Sequence, residues 1–143
     1  PAVNPDAHGP LNYRSLLQVL LPLDAILDEN ADTPRVEAVV NETYTQLVSR
    51  ITVNYDTSER YQFTYHVPDV VSSLGTYQRY RLFLQKQPGS QVNDVNVQVQ
   101  LPPGATLVST SPEAAATYNL ERAVVDFRLQ QDSDEIIEII YSP

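Results

Sequence analysis

The chain has 143 residues, a formal charge of −9 and no cysteine. An acidic surface of this size repels nucleic acid and anionic membranes, because both attract positive patches, so we expect no nucleic acid partner. The absence of cysteine excludes disulfides, thiolate catalysis and cysteine-ligated metals. No apolar run reaches the roughly 18 residues that cross a bilayer, so we expect no direct membrane insertion by this segment. The chain starts at Pro1 and lacks methionine, which favours a processed product or a piece of a longer protein.

Proline, glycine and short polar residues dominate residues 1–11, which have almost nothing to bury. They predict a linker or an extended arm. Residues 13–21 are mostly apolar, and such a run is compatible with a buried strand or a short helix. Pro22 argues against a long helix, because proline cannot continue one.

Two ten-residue segments resemble each other, namely residues 18–27 and residues 98–107. They share Gln, Val, Leu, Pro, Ala and Leu at equivalent places. In the second segment valines alternate with polar residues, which is typical of a half-buried strand, and the similarity extends that interpretation to the first. Internal duplication and chance both remain possible explanations of the similarity.

The middle of the chain predicts strands at residues 36–41 and 45–55, with a turn at Asp56. Residues 61–68 follow as a strand with an apolar face. Residues 69–76 hold two serines and a glycine, and they predict a loop. Three tyrosines fall on apolar strand faces and are expected in the core: Tyr61, Tyr65 and Tyr80. Three others are expected to be exposed: Tyr44, Tyr77 and Tyr118.

Residues 80–84 predict a strand, followed by a break at Pro88 and Gly89 and a second strand over residues 95–101. That second strand ends in a Pro-Pro-Gly corner. Residues 113–116 are the one place with high helix propensity, and they are too few for more than a turn. Residues 123–129 and 135–141 predict two last strands, which the polar residues 130–134 would join as a hairpin.

Short strands spaced in this way predict an all-β fold, an antiparallel β-sandwich of immunoglobulin-like or related type. We expect eight to ten strands and little helix. After the arm at residues 1–11, residues 12–143 are expected to form a single sandwich domain. A two-unit organisation, with residues 12–34 and 35–143 as the units, is the alternative.

The sequence offers few groups for chemistry, so we expect no enzyme and no cofactor. His8 falls in the predicted arm and His66 on the polar face of a strand, which does not indicate a catalytic pair. Asp132, Asp134 and Glu135 could supply oxygen ligands and are a weak candidate site for Ca²⁺. Polar strand positions predict a ligand or partner surface, and the candidates are Arg81, Gln98 and Gln100.

Four segments together resemble a known family: residues 13–27, 63–68, 80–89 and 97–105. They are similar to the C-terminal β-rich region of bacterial envelope proteins of the domain of unknown function 4012 family. That resemblance implies a β-rich fold, an exported and membrane-anchored parent protein and an association with surface polysaccharide. It carries no catalytic residues to this chain.

From the residues and the resemblance we expect a non-catalytic structural or interaction module of a larger bacterial cell-surface protein, located outside the cytoplasm in the envelope or secreted. Its expected partners are other domains of the parent chain, and cell-surface polysaccharide or protein. One alternative is a carbohydrate-binding module, which needs exposed aromatic residues. Another is a subunit of a surface appendage or layer whose arm pairs with a neighbour's sheet edge.

Overall fold

The computed structural model describes residues 12–28, 37–40, 42–119 and 121–143. These residues form twelve strands in four antiparallel sheets and contain no helix, which confirms the predicted all-β antiparallel fold. The strands are β1 (Tyr13–Pro22), β2 (Ile26–Asp28), β3 (Glu37–Val40), β4 (Tyr44–Val53), β5 (Thr64–His66), β6 (Val71–Leu74), β7 (Tyr77–Leu84), β8 (Asn93–Gln100), β9 (Thr106–Ser111), β10 (Ala116–Asn119), β11 (Ala123–Gln131) and β12 (Glu135–Ser142). Twelve exceeds the eight to ten expected, because several strands are only three or four residues long.

The chain divides into two compact units at Pro68 and Asp69. Unit 1 contains β1 to β5, and unit 2 contains β6 to β12. The predicted arm at residues 1–11 and the alternative boundary between residues 34 and 35 lie outside the described residues. The single domain expected over residues 12–143 stays a prediction.

Unit 2 is a two-sheet sandwich. One sheet has the order β6-β7-β12-β9 and the other β10-β11-β8. Alternate residues of each strand point to one face, so each sheet contributes one set of side chains to a shared core. The core residues are Leu101, Ala123, Val125, Phe127, Ile137, Ile139 and Tyr141. Tyr80 packs against this core as predicted, together with Leu82, Leu84, Val97 and Val99.

The predicted hairpin at the end of the chain is wrong. β11 and β12 lie in different sheets, where β11 pairs with β8 and β10 while β12 pairs with β7 and β9. Both strands are central in their sheets, and both bury alternate side chains in the core. Phe127 and Ile139 therefore enter the core from opposite layers instead of lying side by side in one sheet.

The predicted loop at residues 69–76 is also wrong, because it contains β6. This edge strand pairs with β7 from Val71 opposite Tyr80 to Leu74 opposite Tyr77. Gly75 supplies the positive φ of 62° at the turn, which glycine adopts without strain. All four β6 residues are exposed, so no alternation of apolar and polar residues marks the strand in the sequence.

Unit 1 has one sheet of order β1-β4-β3 and a pair β2-β5. The run at residues 13–21 is therefore a strand, and the predicted strands at residues 36–41 and 45–55 correspond to β3 and β4. The predicted turn at Asp56 is confirmed, with the Thr57 amide donating to the Asn54 carbonyl at 3.2 Å. Among the residues of this unit that the structure describes, four are buried, namely Leu21, Thr45, Leu47 and Ser49.

The similar segments of the sequence have the same structure. Both run from a strand through a corner into a second strand: β1 into β2 in unit 1, and β8 into β9 in unit 2. At the corner the Ala25 amide donates to the Pro22 carbonyl at 3.0 Å, and the Ala105 amide donates to the Pro102 carbonyl at 3.2 Å. The leucine before each proline is buried. The strand-and-corner segment therefore occurs twice.

The correspondence extends to the other strands of unit 1. The sheet β1-β4-β3 matches β8-β11-β10 in order and direction. Along β4 and β11 the same pattern of buried and exposed positions runs from Thr45 and from Ala123. In the other pair, Leu27 of β2 lies opposite Tyr65, as Leu107 of β9 lies opposite Tyr141. Unit 1 thus repeats five of the seven strands of unit 2.

The strand predicted at residues 61–68 is shorter in the structure, because β5 spans only Thr64–His66. Half-buried Tyr61 and Phe63 still alternate with exposed Gln62, but they lie outside the paired segment. Tyr65 is 40% exposed, so its predicted place in the core is wrong. The corresponding Tyr141 is 5% exposed in unit 2.

Candidate functional site

The outer face of the three-stranded sheet in unit 2 carries polar residues on two neighbouring strands. Along β8, half-buried valines alternate with exposed Asn96, Gln98 and Gln100. Along β11, buried Val125 and Phe127 alternate with Asp126 and Arg128. Because the apolar set faces the core, the polar set of both strands faces away from it. We call the residues Asn96, Gln98, Gln100, Asp126 and Arg128 the amide face.

The register between β8 and β11 places the residues of the amide face next to one another. Gln98 lies opposite Asp126, and its Nε2 donates to Asp126 Oδ1 at 2.9 Å. Asn96 lies opposite Arg128 in the same ladder. A shallow open depression of about 490 Å³ lies here, lined by these four residues together with Val97 and Phe127. The side chains converge on one patch from two strands.

An aromatic residue borders the amide face. Tyr118 of the edge strand β10 lies opposite Val124, which lies opposite Gln100 on its other side. The three residues form one row across the sheet. Tyr118 is 46% exposed, as predicted, and Tyr44 and Tyr77 are exposed as well.

The amide face offers planar hydrogen-bonding groups of both kinds. Amides donate and accept, the Asp126 carboxylate accepts, and the Arg128 guanidinium donates in a fixed fork. Tyr118 adds a flat apolar ring with a hydroxyl group. Such an arrangement suits a ligand with many hydroxyl or amide groups, and it offers no activated nucleophile.

The predicted surface of Arg81, Gln98 and Gln100 is not continuous. Gln98 and Gln100 belong to the three-stranded sheet, whereas Arg81 belongs to β7 in the other sheet of the sandwich. Arg81 lies opposite Glu138, and its Nε is 3.6 Å from Glu138 Oε2. Both side chains point away from the core, so Arg81 lies on the opposite side of unit 2 from the two glutamines.

The face that carries Arg81 also holds apolar residues. Phe83 is 57% exposed and lies opposite Ile136, which is 45% exposed. Neither residue was among the predicted surface residues. The sequence does contain a sign of this exposure. Phe83 occupies an odd position of β7, whereas the even positions of that strand face the core.

The candidate Ca²⁺ residues lie around the connection between β11 and β12, and the structure gives Asp134 another partner. Its Oδ1 accepts the Lys86 amide at 2.7 Å, and Asp132 Oδ1 accepts the Ser133 hydroxyl at 2.9 Å. Glu135 is the first residue of β12. Within the described ranges, no three acidic, histidine or cysteine side chains group closely enough to hold a metal ion.

Lys86 holds the loop that follows β7 through several hydrogen bonds. Its Nζ donates to the Ser90 carbonyl at 3.1 Å, to the Gln91 carbonyl at 2.6 Å and to the Ser90 hydroxyl. Its amide donates to Asp134, which links this loop to the connection before β12. The segment therefore has a structural role at one end of unit 2.

His66 is exposed on β5, as predicted, and has an acidic neighbour. Its Nε2 is 3.2 Å from Asp28 Oδ2 on the paired strand β2. The His66 side chain is 76% exposed, so water screens this pair. His8 lies outside the described residues.

No family model matches the chain, and no curated protein or solved structure matches it either. In the described part of the chain there is no helix of sufficient length and hydrophobicity to span a membrane.

Proposed function

We propose that this chain is a non-catalytic structural or interaction module of a larger bacterial cell-surface protein, located outside the cytoplasm. The observation that carries the proposal is the repeated sheet arrangement: five strands of unit 1 match five strands of unit 2 in order and direction, and β1 pairs with β4 in the register that β8 takes on β11. Repeated β-sheet units suit a spacer that presents surfaces to partners, since β-sandwich domains are frequent among cell-surface proteins. The resemblance to bacterial envelope proteins supports the same location.

Two measurements test this proposal. Protease added to intact cells of the source organism should degrade the parent protein, and fractionation should place it in the envelope or the medium. Recovery of the intact protein only from the cytoplasm would contradict the proposed location. Hydrolysis of a glycan or peptide by the purified chain, lost in both Asp132→Asn and Asp134→Asn variants, would contradict the non-catalytic role.

A second candidate function is carbohydrate binding through the amide face, and Tyr118 at its border favours it. Sugar hydroxyls pair with amide and carboxylate groups, while an aromatic ring can stack on a sugar face. Glycan-array binding by the native chain should be lost in Gln98→Ala and Tyr118→Ala variants. Arg81→Ala is the matched control, because Arg81 lies on the other sheet. An array without hits, or equal loss in all three variants, would remove this candidate.

A third candidate, assembly of an appendage or layer through the arm at residues 1–11, predicts that the chain forms oligomers. Deletion of residues 1–10 should reduce the mass measured by light scattering. An unchanged mass would exclude donation of a strand by that arm.

A further inference from the structure

We propose that the edge of β5 facing away from β2 is an acceptor site for an extended strand with the side-chain pattern of β7. The site follows from the internal repeat, and it does not depend on the cellular location proposed above. Unit 2 shows what lies at the corresponding edge of β12, and unit 1 lacks that element among its described strands.

In unit 2, β12 has a neighbour on each side. β9 pairs with one edge and β7 with the other. β7 places Tyr80 opposite Ile139 and Leu82 opposite Ile137, and both isoleucines are fully buried. A strand on this second edge is thus part of the environment that removes the inner side chains of β12 from water.

In unit 1, β5 takes the position of β12. The two strands are aligned on their tyrosines: Tyr65 lies opposite Leu27, and Tyr141 lies opposite Leu107. Counting back from the tyrosine along each strand, Phe63 corresponds to Ile139. Among the described residues β5 pairs with β2 alone, so no counterpart of β7 is present on its other edge.

Side chains in and before β5 are more exposed than their counterparts in β12. This agrees with the lack of a second neighbouring strand among the described residues. Phe63 and Tyr61 are only half-buried, although the residues at their positions in β12 have no exposed surface. Tyr65 is 40% exposed, against 5% for Tyr141. A strand laid along this edge would cover three partly exposed aromatic rings, and burial of apolar area is the main favourable term in such an association.

Backbone pairing on β5 is short for the same reason. β12 is paired over eight residues, whereas β5 is paired over three, although Phe63 and Tyr61 continue the alternation beyond it. An edge strand presents amide and carbonyl groups that a further extended strand can pair with. An incoming strand would therefore lengthen β5 toward Tyr61.

The chemistry of the occupant is that of β7. Its inner positions are Tyr80, Leu82 and Leu84, which pack against the core of unit 2, and its outer positions include Arg79 and Arg81. The occupant is thus an extended peptide segment of about eight residues that has large apolar side chains at alternate positions. It runs antiparallel to β5, in the register that β7 takes on β12.

Disulfide trapping tests the site and its register, because the native chain has no cysteine. The full chain carries Thr64→Cys, an exposed position that corresponds to Ile140 of β12. The probe is a synthetic peptide with the sequence of residues 77–84 and Arg79→Cys, since Arg79 lies opposite Ile140. Directly opposed residues of an antiparallel pair lie within the Cα distance that a disulfide requires.

Two matched controls accompany the trap. A peptide with Tyr80→Cys in place of Arg79→Cys moves the thiol by one residue and so to the other face of the strand. The protein variant Ile140→Cys presents the corresponding position of β12, whose edge β7 already occupies. Under a glutathione redox buffer, mass spectrometry measures the yield of cross-linked protein.

We expect Thr64→Cys to cross-link to the Arg79→Cys peptide with a preference of roughly tenfold over the Tyr80→Cys peptide, because a one-residue slip turns the apolar side chains to the wrong face. The Ile140→Cys protein should give little product with either peptide. Equal yields from both peptides on Thr64→Cys, or no product at all, would overturn the proposal. Equal yields from the Thr64→Cys and Ile140→Cys proteins would overturn it as well.

Discussion

Units 1 and 2 share an arrangement of strands but differ in what they bury. At corresponding positions of β4 and β11, unit 1 has Leu47 and Ser49 where unit 2 has Val125 and Phe127. Thr45 of unit 1 is also buried, and its hydroxyl donates to the Leu23 carbonyl at 3.1 Å. The same strand arrangement therefore covers an apolar core in unit 2 and a partly polar core in unit 1.

One strand order is therefore compatible with two different core compositions. Both units share the strand order, the alternation of buried and exposed positions and the corners at Pro22 and Pro102. Stability follows from the apolar area that each sheet buries. Among the described residues, unit 2 buries more large side chains than unit 1. We therefore expect unit 2 to unfold at the higher denaturant concentration.

The largest expected effect is at Phe127, which lies at the centre of the unit 2 core. Phe127→Ala should lower the free energy of unfolding by about 3–5 kcal/mol, because it removes a buried ring and leaves a cavity. Ser49→Ala at the corresponding position of unit 1 should cost only about 1 kcal/mol. Urea unfolding monitored by amide NMR signals from each unit measures both, and equal costs would contradict the difference between the two cores.

The two corner leucines should behave alike. Leu21 is 3% exposed and Leu101 is 2% exposed, and each precedes the proline of its corner. Leu21→Ala and Leu101→Ala should each cost about 2–5 kcal/mol in their own unit. The same unfolding experiment compares them, and a cost at Leu21 below about 1 kcal/mol would argue against the structural equivalence of the corners.

A buried glutamine links the two sheets of unit 2. Gln131 at the end of β11 is 4% exposed, and its Nε2 donates to the Leu84 carbonyl of β7 at 2.8 Å. Gln131→Ala should cost about 1–3 kcal/mol, since the buried carbonyl loses its donor. Exposed Gln130→Ala is the control and should change stability by less than about 0.5 kcal/mol. Equal costs for Gln131→Ala and Gln130→Ala would indicate that the hydrogen bond between the sheets does not contribute to the free energy of unfolding.

The smallest expected effect concerns the ion pair on the outer face of unit 2. Arg81 is 53% exposed and Glu138 is 32% exposed, so water screens the pair. Arg81→Ala should cost about 0.2–1 kcal/mol, and the cost should shrink as salt is added. A thermal melt at low and high salt measures this change, and a larger cost that is independent of salt would assign Arg81 a packing role.

Local features of the fold were predictable from particular residues. The alternating valines of β8 predicted its buried and exposed faces, and the corner at Pro102 followed from its proline and glycine neighbours. β6 was missed because an exposed edge strand has no alternation to recognise. The hairpin of β11 and β12 was predicted wrongly, because alternation defines the two faces of a strand but not the strand that lies beside it.

For the same reason, the sequence did not predict which residues lie together in the candidate site. Gln98 was identified as a surface residue, but its partner Asp126 depends on the pairing of β8 with β11. Arg81 was grouped with Gln98 because both lie on polar strand faces, and only the sheet topology places them on opposite sides. Asp134 was considered as a metal ligand, although its carboxylate accepts the amide of Lys86, which is distant in sequence.

Amide hydrogen exchange at β5 and β12 tests the central claim most directly, namely that unit 1 repeats unit 2 with one edge open. β12 is paired on both sides, so its amides should exchange slowly, whereas amides from Tyr61 to His66, which have a paired strand on one edge at most among the described residues, should exchange faster. Addition of the peptide with the sequence of residues 77–84 should slow exchange at residues 61–66 and leave β12 unchanged. Amides of residues 61–66 as protected as those of β12 before any peptide is added would contradict the claim.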